Sequence, residues 1–435
     1  MKIVGGKWSN WSGGVVCKPQ AIVAPKDEVA LAAAVRQGKG PVRVPGTGHS
    51  FTPLNATDGT LIDLGAFAGL KGCDPAAAVA TFGAATPLWA IGPLIHPRGL
   101  ALKNMGDIDR QTLGGVVGTG THGTGPTLSS FSAEVAGFRL LLAGGEILDC
   151  SARDNAEIFA AGRTSLGALG VMTEIAMHLR PVYKLLEKNF LLPIDELWAR
   201  LDALVAENRH FEFFWFPYAD VAVCKSLNET DKAAPEPRSA DDMRDRGLKS
   251  GADARLFEWI NEVLPYAPFL LKRAHGIFSG GMGSGERVRW SHEILPSPRT
   301  TRFNEMEYAV PYEEGPATIR KIVAEIRKRR INTGFPIEYR TVHEDDVWLS
   351  PFYQRKSATI AVHQYHRVST GRLFDMCESI FRSVQGRPHW GKRHTRTCDE
   401  FTELYPKFEA FRELRARLDP AMKFLNPHLR GIFEG

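Results

Sequence analysis

Three glycine-dense runs constrain this chain more than anything else in it: GTGHS at residues 46–50, QTLGGVVGTGTHGTG at 111–125 and RTSLGALGVMTEI at 163–175. Backbone this poor in side chains cannot fill a core, but it can come close to another surface. Glycine supplies 42 of the 435 residues, above the roughly 7 % of an average chain. The first run follows a strand-like PVRVP directly. Successive small residues there let several N–H groups converge, and such concavities suit phosphate oxygens. His49 puts an imidazole inside that loop, where hydrogen bonding to its own loop is an equally simple role. In the second run Gly118, Gly120 and Gly123 satisfy GxGxxG by letter. The dinucleotide reading of that pattern needs a preceding strand, a following helix and an acidic residue about 20 positions on. TGPTLSSF follows instead, a poor helix start, so a backbone cradle for some other flat, phosphate-bearing group is the better reading.

The surrounding pattern is α+β. AIVAP, a helix over 26–37, PVRVP and TLIDL read as βαβ, and AGFRLLLAGGEILD reads as a hairpin turning at Gly144 and Gly145. FEFFWFPYADVAVC alternates and reads as a strand, whereas the polar, charged residues 227–254 read as a mobile surface excursion. An amphipathic helix over 316–330 ends in RKRR, cations that complement its C-terminus. Strands follow at GFPIEYRTV and ATIAVHQYH, and the chain closes in helical pieces around LDPAMKFLNPHL.

Composition excludes several classes. Lys and Arg number 54 against 49 Asp and Glu, and the excess is spread along the chain, which gives nucleic acid binding little support. No stretch approaches the roughly 18 continuous apolar residues of a membrane span. The first residues lack the apolar core of an export signal, about 7–15 residues long. Six cysteines without a CxxC pair argue against a disulfide scaffold or zinc ribbon and fit a reducing cytoplasm.

Charged side chains supply the candidate chemistry. Glu338 and Arg340 stand two apart in FPIEYRTV, hence on one face of a strand. They read either as a solvated ion pair or as a buried site, and the apolar flanks favour burial, where charge is costly without a role. HWGKRHT at 389–395 gathers an aromatic, a glycine and titratable groups in one loop, which a basic surface turn would also explain. His363 and His366, three apart on a strand, point to opposite faces, and no metal site is expected.

Together NWSG, VRVPGTGHSFTPLNATDGTLIDL, GDIDRQTLGGVVGTGTHGTG, SLGALGVMTEI, FNEMEYAVP, HWGK and FLNPHL resemble the aldonolactone oxidases of the vanillyl-alcohol-oxidase flavoprotein superfamily. That group includes gulonolactone, galactonolactone, arabinonolactone and alditol oxidases. The resemblance implies a two-subdomain FAD-binding domain of the PCMH type at 1–180, an α+β substrate or cap domain at 181–395, and a tail at 396–435 returning to the FAD domain. It implies that Pro45, Gly46, Thr47, Gly48, His49 and Ser50 bind the FAD pyrophosphate, with His49 at the position of a covalent flavin link. Gly114, Gly115, Gly118, Thr119 and Gly120, then Thr121, His122, Gly123 and Gly125, and finally Gly167, Gly170 and Val171 would line the flavin. Glu338, Arg340 and Lys392 match the catalytic cluster, while Glu305 and His389 fall near substrate-contacting positions. The implied reaction is oxidation of a carbinol of a sugar lactone, with oxygen reduced to hydrogen peroxide. An alditol or sugar oxidase, a lactone dehydrogenase with another electron acceptor, and a silent flavin-binding protein are the alternatives.

Overall fold

A computed structural model describes residues 3–246, 251–282 and 284–435. Strands Ala21–Val23, Thr60–Ile62 and Val42–Arg43 form a small parallel sheet with Thr60–Ile62 in the middle. Parallel neighbours need a crossover, and the helix Glu28–Gln37 follows the first strand to supply one. Asp27 caps it by accepting from the Ala30 amide, and Leu31, Ala32 and Val35 form its buried stripe. A five-stranded antiparallel sheet comes next, in the order Ile147–Ser151, Val135–Leu141, Val171–His178, Val79–Gly83 and Leu70–Asp74. Its tightest hairpin turns at Gly144 and Gly145, with Gly145 at a φ of 96° that favours glycine.

The second large sheet has eight strands, in the order Gly285–Trp290, Lys184–Pro193, Val221–Glu229, His210–Trp215, Ile337–Val342, Ser357–Tyr365, Phe303–Pro311 and Arg387–Pro388. Strand side chains alternate between faces, and here the two faces differ completely. Phe213, Tyr308, Tyr339 and Ile360 pack under Leu197, Leu201, Ile319, Ile322, Phe374 and Phe381 of the helices Ile194–Glu207, Gly315–Lys328 and Gly371–Ser383. The opposite face carries Glu212, Lys225, Glu305, Glu307, Glu338 and Arg340. Burying a charged face is costly, so its pairing decides what the site can do. The last helices, Cys398–Leu404, Phe408–Leu418 and Pro427–Phe433, return to the first lobe, where Phe401, Phe408, Phe411 and Phe433 join the core of Phe82, Val117, Leu140 and Ile175. Among the described residues no helix is long and apolar enough to cross a membrane.

Two expectations need correction. FEFFWFPYADVAVC is not one strand but parts of two, His210–Trp215 and Val221–Glu229, paired antiparallel with Phe213 opposite Cys224. Pro217, which has no amide to give a ladder, lies in the turn between them. The polar excursion is also shorter and better ordered than expected. Leu227 is buried within its strand. The helix Ala240–Asp245 has a capping box from Ser239 and Asp242 and buries Met243. Arg110 donates to the carbonyls of Met243, Arg244 and Arg246, fastening this segment to the first lobe. Residues 247–250 of the expected excursion lie outside the described residues.

Candidate active site

The glycine runs meet around a cavity of about 270 Å³. Pro45, Gly46, Thr47, Gly48, His49 and Ser50 form one wall; Gly114, Gly115, Gly118 and Thr119 form a second. Gly167, Gly170 and Val171 form a third, with His389 and Lys392 at one end. Neighbouring motifs hold the first loop open. Asn10 donates to the Ser50 carbonyl (2.9 Å), the Trp11 amide to the Gly48 carbonyl (2.7 Å), and the Phe51 amide to the Gly391 carbonyl (2.7 Å). Among the described residues none of the amides from Gly46 to Ser50 has a backbone acceptor, which leaves them available to a ligand. Free N–H groups converging on a cavity fit an anion such as a pyrophosphate. A Cβ on Gly118 would meet no protein atom within 4 Å, so the helix Leu113–Thr119 leaves a bare surface against which a planar ring can lie. These features fit FAD. Arg43 closes the floor, buried and donating to the carbonyls of Leu54, Leu166, Gly167 and Phe424.

His49 stacks on Trp11 with ring centroids 5.6 Å apart. Burial, helped by the cations of Lys392 and Arg110, pushes its imidazole down to about 4, leaving it neutral near pH 7.

The rest of the second run does not line the cavity. Gly120 ends the helix at a φ of 67°, and Thr121, His122, Gly123 and Gly125 turn away toward the charged sheet. Gly125 bridges to Val342. His122 Nε2 lies 2.7 Å from Glu307 Oε1 and Nδ1 lies 2.8 Å from the Gly123 carbonyl, and its ring packs edge-on to Phe352 at 4.9 Å.

On that sheet face, register explains the charges. Lys225 lies opposite Glu212, and Glu212 opposite Arg340, an alternating row across three strands. The next row runs Glu338, Ala361, Glu307, with the small Ala361 on the strand between the two carboxylates. Arg340 Nη2 therefore reaches Glu307 Oε1 at 3.0 Å and lies 3.6 Å from Glu338 Oε2. Burial opposes charge on Glu307, yet Arg340 and His122 hold its carboxyl well below the usual range. Glu338 goes the other way. Burial is the main cause, reinforced by Asp107, Glu212 and Glu307 against the pull of Arg340, and its carboxyl rises to about 8. Its Oε1 is buried without a hydrogen-bond partner in the protein. Burial works against the Arg340 cation, but Glu338 and Glu307 raise its pKa and keep it charged.

Asp107, Glu212 and Glu338 bring carboxylate oxygens within 4.8 Å of one another. Cations already occupy the group: Lys225 Nζ is 2.8 Å from Glu212, and Arg299 is 2.8 Å from Asp107.

Lys392 joins by a different route. Its ammonium pairs with Glu305, which also faces His363 Nε2 at 3.6 Å, and lies 5.1 Å above the Phe51 ring. His389 accepts from the Gly391 amide through Nδ1 (3.0 Å), its ring 5.9 Å from that of His122, and burial pushes it down to about 3. Thus Glu338, Arg340 and Glu307 share one ion network and Lys392 and Glu305 another, with Glu305 and Glu307 two residues apart on one strand face. Sequence reasoning missed Glu307, although NEMEY shows it two residues from Glu305. It also missed Asp107, Glu212 and Lys225, which only strand register brings together.

A glycine-walled trough whose lining includes His389 and Lys392, on this fold, fits an FAD-dependent oxidoreductase of the PCMH type, while Glu338 and Arg340 are buried and are not among the residues that line it. The sequence model of D-arabinono-1,4-lactone oxidase matches residues 175–432, and that of an FAD-binding domain matches residues 19–151. The chain belongs to this aldonolactone oxidase family. It is 36% identical to L-gulono-1,4-lactone dehydrogenase of Mycobacterium tuberculosis over 98% of each chain. It is 31% identical to L-gulonolactone oxidase of Bos taurus over 99% of this chain and 98% of the other. Among solved structures, cholesterol oxidase from B. sterolicum superposes with a TM-score of 0.81 at 16% identity, covering 98% of this chain and 96% of that one. That last likeness concerns the fold alone.

Proposed function

We propose that the protein oxidises a carbinol of a sugar-derived aldonolactone such as L-gulono-1,4-lactone, with oxygen as terminal electron acceptor and hydrogen peroxide as product. The observation that carries this reading is Glu338, a buried carboxyl with one oxygen unpartnered, beside an Arg340 held charged. Bound FAD would supply the hydride acceptor. Oxidising a carbinol to a ketone also releases the hydroxyl proton, which the ionised form of Glu338 would take. Arg340 steadies the negative charge that develops on the substrate oxygen, an effect worth about 3 kcal/mol for a well-placed donor. Lys392, held by Glu305, adds a second cation from the cavity end, where His389 offers a neutral ring to a substrate hydroxyl. Residues 45–50 would hold the pyrophosphate through backbone, Gly114, Gly115, Gly118 and Thr119 with Gly167, Gly170 and Val171 would line the ring system, and His49 would carry the covalent link.

The test is turnover by purified flavin-loaded protein over a panel of lactones and alditols, with peroxide detection beside a dye acceptor. Lactone oxidation with peroxide formed in step is expected. A second reading, a lactone dehydrogenase, draws on the relative of that name at 36% identity, and it would show as dye reduction without peroxide. Turnover of alditols with no lactone accepted would reject both.

A further inference from the structure

His122 is the one titratable residue of the second glycine run, and it turns away from the cavity that the run helps to line. Its ring is buried where the link after the helix Leu113–Thr119 meets the charged sheet face. Phe352 packs on it edge-on, and a backbone bridge from His122 to Ser130 fixes the chain there. Both ring nitrogens meet oxygen: Nδ1 lies 2.8 Å from the Gly123 carbonyl and Nε2 lies 2.7 Å from Glu307 Oε1. A carbonyl oxygen only accepts, so Nδ1 carries a proton. A second proton must then lie between Nε2 and Oε1, because two lone pairs do not approach so closely. Burial favours a protonated Glu307, but Arg340 and His122 outweigh it and hold the carboxyl well below the usual range. The shared proton therefore stays on the ring.

We infer that His122 is a positioning residue: its imidazolium balances Glu307 and so leaves the positive charge of Arg340 free to act on the substrate oxygen. That role rests on Arg340 steadying the oxygen of the lactone carbinol, as proposed above. Glu307 Oε1 meets two cations at once, His122 Nε2 at 2.7 Å and Arg340 Nη2 at 3.0 Å. One negative charge thus faces two positive ones, and buried charge is costly unless something meets it. Glu338, 3.6 Å from Arg340, is uncharged once it has taken a proton. Asp107 and Glu212 have cations of their own in Arg299 and Lys225. Arg340 Nε is buried with no hydrogen-bond partner in the protein, so the guanidinium has an unused donor. His389 adds no charge, because burial pushes its imidazole down to about 3. Its ring lies 5.9 Å from that of His122 and lines the cavity. A surplus positive charge therefore sits next to the cavity wall. With a neutral side chain at position 122, Glu307 would match Arg340 one to one and the surplus would vanish.

Isotope-edited NMR of flavin-loaded, histidine-labelled protein reads the charge directly. At neutral pH the His122 ring of wild type should carry protons on both nitrogens, its signal being assigned by its loss in either variant described next. Anaerobic stopped-flow reads the consequence, with whichever substrate of the panel reduces the flavin fastest. His122→Gln keeps a donor toward Glu307 without the charge, and it should slow reduction about tenfold with flavin content unchanged. His122→Gln/Glu307→Gln removes the opposed charges together and should recover most of that loss. A packing role for His122 gives the reverse, a double variant at least as slow as the slower single one. A single protonated ring nitrogen in wild type overturns the inference, as does a double variant no faster than His122→Gln. Neither outcome depends on which substrate is turned over, so rejection of lactones across the panel would count against the proposed function alone.

Discussion

Glu338 is the residue whose chemistry can be read most directly from solution behaviour. Its carboxyl is raised to about 8, chiefly by burial. If its ionised form takes the substrate proton, the reductive step should speed up as pH rises toward about 8 and level off above it. Anaerobic stopped-flow with the best lactone measures this, and Glu338→Gln should flatten the profile and slow the step by roughly two orders of magnitude. Stability gives an independent check with a definite sign. The folded carboxyl binds its proton more tightly than an unfolded one at 4.5, so this group's contribution to stability falls as pH rises from 4.5 to about 8. The gap in melting temperature between Glu338→Gln and wild type should therefore widen in favour of the variant across that window. Arg340→Ala and Lys392→Ala should also slow flavin reduction, non-additively, because both would act on the charge that develops on one substrate oxygen. At His49 the readout is optical. Yellow colour should stay with acid-precipitated wild type and be absent from the precipitate of His49→Ala; colour released from wild type would leave His49 as a loop residue stacked on Trp11.

At the scale of elements, the charged face depends on a small residue. Ala361 lies between Glu338 and Glu307 in the register and is 1% exposed. Ala361→Leu would push side-chain volume into the space where Arg340 meets Glu307, at about 1–3 kcal/mol of overpacking. The expected outcome is bound flavin with reduction at least about tenfold slower, read in the same stopped-flow experiment; wild-type rates would show that the Arg340–Glu307 contact does not matter. Much of the local architecture was legible beforehand because periodicity and glycine punctuate it: the βαβ start, the Gly144–Gly145 hairpin, and the strand carrying Glu338 and Arg340. The two strands merged in FEFFWFPYADVAVC were marked in the sequence only by Pro217, which the apolar residues on both sides masked. The Glu338–Ala361–Glu307 row was invisible for a deeper reason. Its members come from three strands, and register depends on tertiary pairing rather than on any local pattern.

Over the whole molecule, the chain's last residues hold its first glycine loop in place. Asn426, in FLNPHL, donates to the carbonyls of Pro53, Leu54 and Ala56 and also caps the helix Pro427–Phe433 by accepting from the Leu429 amide. Two residues earlier, the Phe424 carbonyl accepts from Arg43, whose other bonds reach Leu54, Leu166 and Gly167. The tail therefore ties together segments more than 350 residues away in sequence, immediately behind two walls of the cavity. Asn426→Ala removes a cap worth about 1 kcal/mol and leaves buried carbonyls unpaired at about 1–3 kcal/mol. Its melting temperature should fall by several degrees, and flavin should be lost before the eight-stranded sheet unfolds. Arg43→Met should act in the same direction, since four carbonyls lose their donor at once. Calorimetry followed in parallel by flavin fluorescence distinguishes the outcomes. Flavin release that coincides with global unfolding in Asn426→Ala, at an unchanged temperature, would show that the tail covers the first lobe without supporting the cavity.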